Sequence, residues 1–484
     1  MPEHELDPIF HPRGIALVGV PSGGEGPAAG FLNSLLEAKC HETHGVYPVN
    51  PKMEEVGGLK CYPTLMDTPD PVDHIISLVP ARIIPELAEQ AIQKGVRSVH
   101  FYTAGLAETG DPELAKLERQ VVARLNAAGI RVIGPNCMGL YVPEEGLAFM
   151  GGFPTEPGNV MFISQSGANA GEVVHGLGRR GVRFSKVISF GNGSDLRAHH
   201  FLDYALSDPQ TEIVTGYVEG VQDARIFFQN AKRLGAQKPL ILLKGGLTSA
   251  GARAAHSHTG SLAGSVQIFD AMCRQAGAWR AETMDDLHDV AIAMTTELKN
   301  VRGRGVALTG GGGGVAVLSS DALASAGLEI PPTPEETKRA FREFIPLAGT
   351  SVNNPIDANA RNIEDQLRML RMLGQAEPFD LVITNPPMDR PVGMSGPQPE
   401  DEEDRPSSEQ RAITSAERLA TLQRETGVPY VVIMRNFSGR TADHFQREAY
   451  KRGVAVYPSI HRAARAIASV LDWRARREGL PEIF

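Results

Sequence analysis

The sequence predicts an α/β protein made of three doubly wound domains. Short β-branched runs alternate with helix-like segments along the chain, and a strand, a glycine turn and a helix follow one another at three places. A stretch rich in Gly and Pro at 150–159 separates the first unit from the second. Alternation of this kind is typical of parallel sheets with helices on both faces. We expect domains at 1–149, 158–298 and 303–484.

The first domain has a run of predicted strands with helix-like segments between most of them. The strands are "GIALVGV" (14–20), "GVYPVN" (45–50), "HIISLV" (74–79), "SVHFYT" (98–103) and "IRVIGP" (130–135). Segments with apolar residues at helical spacing are 27–39, 81–95 and 112–129. This order predicts a parallel sheet with crossover helices.

The second and third domains repeat the pattern. In the second, predicted strands are 159–166, 183–190, 212–219 and 239–245, and predicted helices are 168–180 and 223–235. The third begins at 303–328 and continues with strands at 379–387, 430–435 and 454–458. An acidic, Pro-rich stretch at 394–410 holds too little apolar surface to order itself. We expect a solvated insertion there, with a lid or a partner contact as the alternative.

Composition argues against several classes of protein. The 484 residues are 42% hydrophobic and 22% charged, with a net charge of −9 at pH 7. This charge argues against a nucleic-acid surface, and no apolar run approaches the ~18 residues of a membrane span. The N-terminus lacks the layout of a signal peptide, so we expect a cytoplasmic protein. The four cysteines show no C-x-x-C spacing, and neither a disulfide nor a metal site is expected.

The glycine turn after the first strand is a predicted phosphate site. Gly19, Ser22 and Gly23 precede a helix, whose N-terminal N–H groups and dipole favour an anion. The spacing is not the G-x-G-x-x-G of dinucleotide-binding proteins, and no carboxylate ends the second strand. Lys52 lies there instead, which favours a phosphorylated ribose, as in coenzyme A (CoA) or NADP, over NAD. A purely structural turn is the remaining alternative.

Two further helix N-termini follow glycine-containing turns. Ser166 and Gly167 follow the first strand of the second domain, and Gly312 and Gly313 lie in the five-glycine run of the third. Each can bind an anion by the same argument, and each alone could be a tight turn. Three such junctions in one chain favour phosphate chemistry.

Two histidines, His256 and His258, lie among small residues in "RAAHSHTGSLAGS" (253–265). From the residues alone, a functional histidine and a surface or core histidine are both possible interpretations. The stretch belongs to a set of motifs that resembles the NDP-forming acyl-CoA synthetases, which include succinyl-CoA synthetase and the ADP-forming acetyl-CoA synthetases. The motifs are "YPVNPK" (47–52), "AGLAETG" (104–110), "GPNCMGL" (134–140), "SQSGANAGE" (164–172), "SFGNGSDL" (189–196), "YVEGVQDAR" (217–225), "SHTGSLAGS" (257–265), "GGGGGVAVLSSDAL" (310–323) and "NNPID" (353–357). Their order resembles the α subunit of the two-subunit ADP-forming enzymes.

The resemblance implies that a carboxylic acid, CoA and a nucleoside triphosphate interconvert through an acyl phosphate and a phosphohistidine. His258 falls at the phosphorylated position, with His256 as a solvated neighbour. Glu219 in "YVEG" falls at the glutamate that pairs with this histidine. A carboxylate on one ring nitrogen fixes the tautomer and leaves the other nitrogen as the nucleophile.

The resemblance also implies two groups of binding residues. The helix N-termini expected to stabilise the phosphohistidine through their dipoles are at Ser166, Gly167, Gly312 and Gly313. The residues expected to bind CoA are Gly19, Ser22, Gly23, Lys52, Pro80, Asn136 and Cys137. For Cys137 the expected role is packing against the pantetheine arm rather than nucleophilic attack.

The implied fold is a Rossmann-like CoA-binding domain followed by two flavodoxin-like CoA-ligase domains. The family binds ATP or ADP with Mg²⁺ on an ATP-grasp module, and no such module follows the third domain, so an ATP-grasp β subunit is the expected partner. The five-glycine run and the acidic insertion depart from the commonest family pattern. Two alternatives remain: an NADP-dependent dehydrogenase, favoured only by the first glycine turn, and a non-catalytic CoA-sensing protein.

Overall fold

The described part of the chain has the predicted α/β architecture. The computed structural model describes residues 4–21, 26–251, 253, 265–310, 312–346, 351–358, 360, 362–387, 407–434 and 439–479. These residues form mainly parallel sheets of five, six and four strands and one two-stranded sheet. They group into two compact units, Met1–Gly178 with Arg183–Met284, and Arg179–Val182 with Asp285–Phe484. The α/β fold class is confirmed, and the three domain boundaries stay a prediction.

The first sheet contains the predicted strands of the first domain. In chain order the strands up to this point are β1 (Gly14–Val18), β2 (Gly45–Val49), β3 (Glu55–Val56), β4 (Leu59–Lys60), β5 (His74–Ser77), β6 (Ser98–Phe101) and β7 (Arg131–Ile133). The helices are Asp7–Phe10, Pro27–Glu37, Cys40–Thr43, Ile84–Lys94 and Pro112–Ala127. The five-stranded sheet has the order β2-β1-β5-β6-β7, all parallel. The order reverses between β1 and β5, where doubly wound sheets bind ligands at the carboxyl ends of the strands.

The second sheet contains two short strands that the sequence did not predict, at 139–141 and 279–281. Its strands are β8 (Gly139–Tyr141), β9 (Val160–Ser164), β10 (Phe184–Ser189), β11 (Ile213–Val218), β12 (Leu240–Lys244) and β13 (Trp279–Ala281), and the helices are Gly167–Arg179, Ala198–Ser207, Ala224–Gly235, Val266–Ala276 and Met284–Thr295. The order is β13-β12-β11-β9-β10-β8, with β8 antiparallel to β10. Since β8 precedes the predicted linker at 150–159, the second sheet includes a strand from the stretch assigned to the first domain. A three-residue strand is too short to show a period.

The third sheet lies in the second compact unit and is parallel throughout. Its strands, in sequential spatial order, are β14 (Val306–Leu308), β15 (Leu381–Thr384), β16 (Tyr430–Ile433) and β17 (Ala455–Tyr457). The helices are Gly313–Ser325, Glu335–Phe341, Ile363–Gln375, Ser408–Thr426, Arg440–Lys451 and Ile460–Glu478. Most of the acidic stretch at 394–410 falls outside the described residues. Its last residues begin the helix Ser408–Thr426, which Ser407 caps by accepting the Gln410 N–H at 3.0 Å.

The strands are buried as expected for sheets covered on both faces. Every residue of β1, β5, β6, β9, β10 and β12 is buried, which is typical of parallel strands between helical layers. All four cysteines are buried and unbonded to one another. Among the described helices, none combines the length and apolarity needed to cross a membrane.

Candidate functional site

Three strands of the second sheet end side by side at its carboxyl edge. The register pairs Ser164 of β9 with Tyr217 of β11, and Val218 of β11 with Lys244 of β12. The residues directly after these strands therefore meet at one edge. Ligands of parallel α/β sheets bind at this edge, and two predicted site residues, Ser166 and Glu219, follow β9 and β11.

Glu219 is a buried carboxylate fixed from more than one side. Its residue is 6% exposed, and the Tyr217 hydroxyl donates a hydrogen bond to its Oε1 at 3.1 Å. The main-chain N–H groups of Glu219 and Gly220 both donate to Oε1 of Gln165, the latter at 3.1 Å. Burial raises the pKa of the Tyr217 hydroxyl, and the charge of Glu219 raises it further, so this hydroxyl stays a donor. The position of Glu219 is thus set by residues of two strands.

Lys244 ends β12 and lies against the same main chain. It is 4% exposed, and its Nζ donates to the carbonyl oxygens of Glu219 at 2.5 Å and Gly245 at 2.6 Å. Burial lowers the pKa of the ammonium, and the charge of Glu219 opposes this shift. Neither Lys244 nor Gln165 was predicted as a site residue. A lysine that closes the apolar run "LILL" is the signal that could have found the first of them.

The helix Gly167–Arg179 begins at the same edge. The Oγ of Ser164 accepts from the N–H of Ser166 at 3.1 Å and donates to its carbonyl at 2.7 Å, which fixes the turn before the helix. A Cβ added to Gly167 would lie 2.5 Å from Cγ of Met138, so glycine is required for this packing. Because Gln165 contacts the Glu219 main chain, the helix N-terminus and the carboxylate lie at one edge of the sheet.

The two candidate histidines lie outside the described residues. His256 and His258 fall in 254–264, which the structure does not describe. The chain is described as far as Gly251, at Arg253, and again from Ser265, which caps the helix Val266–Ala276. Pairing of His258 with Glu219 therefore stays a prediction.

Gly19 lies at the switch point of the first sheet. It follows β1 with a φ of 91°, and a Cβ there would lie 2.9 Å from Cγ1 of Val79. Glycine is required because the chain turns in the left-handed region against the segment that follows β5. Pro80, next along that segment, is exposed. Ser22 and Gly23 fall in 22–25, outside the described residues.

Lys52 is exposed beside the same switch point. Asn50 connects the turns after β1 and β2, since its Nδ2 donates to the Val20 carbonyl at 2.7 Å and its Oδ1 accepts the Lys52 N–H at 2.8 Å. The Lys52 main chain is therefore held close to the turn that follows β1. Contact of the Lys52 ammonium with a phosphorylated ribose stays a prediction.

The "GPNC" motif packs against the second sheet. Asn136 has a left-handed φ of 56°, and a Cβ on Gly191 would lie 2.2 Å from its carbonyl oxygen. Cys137 is 4% exposed, with its Sγ 3.8 Å from the carbonyl oxygen of Phe101. Burial raises the pKa of the Cys137 thiol well above its ordinary value. A buried, protonated thiol agrees with a packing role, and contact with pantetheine stays a prediction.

A buried carboxylate that sequence analysis missed joins two of the motifs. Glu118 is 6% exposed and accepts hydrogen bonds from the Ser194 hydroxyl, from Nδ2 of Asn192 at 3.3 Å and from the N–H of Ala107 at 2.9 Å. Asn192 also donates to Glu108 at 2.8 Å. The stretches "AGLAETG" and "SFGNGSDL" are thus held together by side chains. Glu118 lies inside a helix outside every motif, so no local pattern marks it.

In the second compact unit, Gly312 precedes a helix, as expected for the glycine run. Gly312 has a φ of 76° and caps the helix Gly313–Ser325. A Cβ on Gly313 would lie 3.5 Å from Oδ2 of Asp357. Asn354, in the same "NNPID" motif, accepts the Leu308 N–H at 2.9 Å. The motif therefore borders β14 and the turn that follows it, while an anion at Gly312 and Gly313 stays a prediction.

Comparison with known proteins assigns the chain to a family. Residues 13–143 match the family described as "CoA binding domain". Residues 157–294 match the family described as "Succinyl-CoA ligase like flavodoxin domain". The α subunit of acetate–CoA ligase [ADP-forming] II from Pyrococcus furiosus is 36% identical over 380 residues, which cover 78% of this chain and 81% of that protein. The chain belongs to the NDP-forming acyl-CoA synthetase superfamily.

Two further members of the superfamily show how much of a related protein this chain covers. Acetate–CoA ligase [ADP-forming] I from Archaeoglobus fulgidus is 35% identical over 381 residues, and this chain spans 54% of its length. A solved dinucleotide-forming acetyl-coenzyme A synthetase 1 from Ca. Korarchaeum cryptofilum, in complex with phosphate and ADP, superposes with a TM-score of 0.78 at 28% identity. That superposition covers 98% of this chain and 97% of the other. The predicted family, fold and ligase class are confirmed, and these relatives do not support the dehydrogenase alternative.

Proposed function

We propose that this chain is the CoA-binding catalytic α subunit of an ADP-forming acyl-CoA synthetase. It interconverts a carboxylic acid, CoA and ATP with acyl-CoA, ADP and phosphate. The observation that carries the proposal is the buried Glu219, fixed at the carboxyl edge of the second sheet beside the helix that begins at Gly167. The segment that leads to His258 leaves β12 at this same edge.

The proposed chemistry proceeds by two displacements and a transfer. A phosphate oxygen attacks the thioester carbonyl of acyl-CoA, the C–S bond breaks, and CoA leaves as its thiolate. A ring nitrogen of His258 then attacks the phosphorus of the acyl phosphate, and the carboxylate leaves. The phosphohistidine finally passes its phosphoryl group to ADP. Glu219 accepts the N–H of the other ring nitrogen, which keeps the attacking nitrogen unprotonated and stabilises the imidazolium that forms.

Helix N-termini and the first sheet supply the remaining groups. The helix that begins at Gly167 has its N-terminus at the edge that holds Glu219, which supports binding of phosphoryl oxygens at Ser166 and Gly167. CoA binds at the switch point of the first sheet, with its phosphates near Gly19 and Lys52. Asn136 follows β7 at the carboxyl edge of this sheet, which supports a contact with the pantetheine arm.

The nucleotide and Mg²⁺ are assigned to a partner. A relative named as an α subunit matches most of this chain, which supports a hetero-oligomer with an ATP-grasp β subunit. We place the complex in the cytoplasm, because four buried cysteines with no disulfide between them suit a reducing compartment. A non-catalytic CoA-sensing protein is disfavoured by the carboxylate fixed at the expected catalytic edge.

The proposal predicts that the chain performs one half of the reaction alone. With acetyl-CoA and radiolabelled inorganic phosphate, the purified chain should acquire an acid-labile, base-stable label, while ATP with Mg²⁺ should leave it unlabelled. Adding an ATP-grasp partner should allow labelling from ATP. Rapid labelling of the single chain by ATP would contradict the division of labour, and absence of label from acetyl-, propionyl- and succinyl-CoA alike would count against catalysis.

Lys52→Glu should weaken CoA binding about tenfold more than it weakens binding of dephospho-CoA, because reversing the charge opposes the 3′-phosphate that dephospho-CoA lacks. Calorimetric titration of both ligands measures the two affinities. Lys60→Glu reverses an exposed lysine on β4 and serves as the matched control, with equal small effects on both ligands. Equal losses for the two ligands in Lys52→Glu would remove the 3′-phosphate assignment.

A further inference from the structure

The Lys244 ammonium joins the two chain segments that leave the carboxyl edge beside Glu219. Its Nζ donates to the carbonyl oxygen of Glu219, directly after β11, and to that of Gly245, directly after β12. The first segment carries the proposed catalytic carboxylate, and the second leads toward His258. A single buried cation therefore sets the distance between the main chains of both segments.

Packing at Gly245 carries this main-chain contact to the side chains. A Cβ on Gly245 would lie 2.6 Å from the Tyr217 hydroxyl and 3.4 Å from Cγ of Glu219. The segment after β12 therefore packs directly on the Tyr217 and Glu219 pair. A shift of Gly245 toward this pair would displace the hydroxyl that donates to the carboxylate, or the carboxylate itself.

We propose that Lys244 is a positioning residue for Glu219, holding its carboxylate where the imidazole of His258 can donate to it. The inference rests on the proposed function, since the position of the carboxylate affects the rate only if the two residues pair. A catalytic group must be held within a fraction of an ångström of its working geometry. Lys244 and Gln165 hold the main chain of Glu219, and Tyr217 holds its carboxylate.

Lys238 offers a matched control at the other end of the same strand. It lies two residues before β12, and its Nζ donates to the carbonyl oxygens of Ala205 at 2.6 Å and Asp208 at 2.8 Å. Burial lowers the pKa of this ammonium as it does for Lys244. The contacts are alike, but Lys238 lies about 20 Å along the strand from Lys244. Removing it tests the structural cost of losing such a lysine without touching Glu219.

The experiment compares Lys244→Met and Lys238→Met, each with and without Glu219→Gln. Single-turnover phosphorylation of the full chain by acetyl-CoA and inorganic phosphate should slow about tenfold in Lys244→Met and less than about twofold in Lys238→Met. In the Glu219→Gln background, adding Lys244→Met should slow phosphorylation by less than about twofold. A residue that acts through Glu219 has little effect once the carboxylate is gone.

Two outcomes overturn the proposal. If Lys244→Met slows phosphorylation by the same factor in both backgrounds, Lys244 acts independently of Glu219. If Lys238→Met slows it as much as Lys244→Met, the effect is loss of general stability. If Lys244→Met does not fold, Lys244→Arg, which shifts the donors but retains them, replaces it in the same cycle under the same criterion.

Hydrogen exchange separates failure of this inference from failure of the proposed function. In Lys244→Met the amides of Glu219 and Gly220 should exchange about tenfold faster, with no change in β9. Unchanged exchange at both amides would show that Lys244 does not hold this main chain, whether or not the variant is phosphorylated. If the wild-type chain is never phosphorylated, the proposed function fails, while faster exchange in Lys244→Met alone would still show that Lys244 fixes this main chain.

Discussion

Replacing His258 by alanine should lower phosphorylation of the chain at least about 10³-fold, in labelling from acetyl-CoA with phosphate and from ATP with a partner. The imidazole is the proposed acceptor of the phosphoryl group, and alanine offers no nucleophile in its place. The phosphoenzyme is the intermediate of both directions, so both should fail together. Acid-labile label counted on the intact protein measures the loss directly.

His256→Ala is the matched control, because it removes an imidazole two residues away in the same small-residue run. It should retain labelling within about threefold of wild type, as expected for a solvated residue. The reverse result, with His256→Ala inactive and His258→Ala active, would transfer the acceptor role to His256. Equal retention in both variants would place the phosphoryl group on another residue.

Glu219→Gln should slow phosphoryl transfer about 10²-fold or more and leave folding intact, the scale expected when a group that orients a catalytic imidazole is neutralised. Glutamine has nearly the shape of glutamate, and its amide oxygen can still accept from the Tyr217 hydroxyl. The negative charge is lost, and one of the two acceptor oxygens becomes an NH2 donor. Without the charge the imidazolium formed on phosphorylation is unsupported. Rapid-quench measurement of the phosphoenzyme and a thermal unfolding curve separate the two effects.

Glu212 provides the control for this substitution at the opposite end of β11. It is exposed just before the strand and accepts from Nδ2 of Asn159 at 3.0 Å. Glu212→Gln should turn over at the wild-type rate, since an exposed polar contact of this kind contributes little. Wild-type turnover in Glu219→Gln with the correct partner present would reduce Glu219 to a structural acid.

The local pattern of apolar residues predicted most of the strands, because the parallel strands of this protein are buried apolar runs separated by amphipathic helices. The predicted strand "EIVTGYVE" became β11, and the predicted helix at 168–180 begins one residue earlier, at Gly167. The short strand β8 was missed because its pairing with β10 depends on residues some fifty positions away. Long buried strands are visible in the local sequence, whereas a short strand that depends on distant pairing is not.

The residues of the candidate site likewise fall into those that local sequence marks and those that it does not. Glu219 and His258 were found through motifs, in which neighbouring residues carry the signal. Gln165 and Lys244 were missed because their importance arises from the register of β9, β11 and β12, which brings the ends of separate strands together. Gln165 follows β9, and its side chain accepts hydrogen bonds from two N–H groups that follow β11. No residue spacing along the chain predicts such a contact.

The placement of β8 bears on how this chain could be divided or recombined. The region that matches the CoA binding domain ends at 143 and so includes β8, yet the hydrogen bonds of β8 belong to the six-stranded sheet. A cut at 150–159 would separate β8 from β10 and leave β10 as an open edge, which invites association with other chains. The CoA-binding and ligase modules thus share a strand across their sequence boundary. An exchange of modules between relatives must move that strand with the ligase half to keep β10 paired.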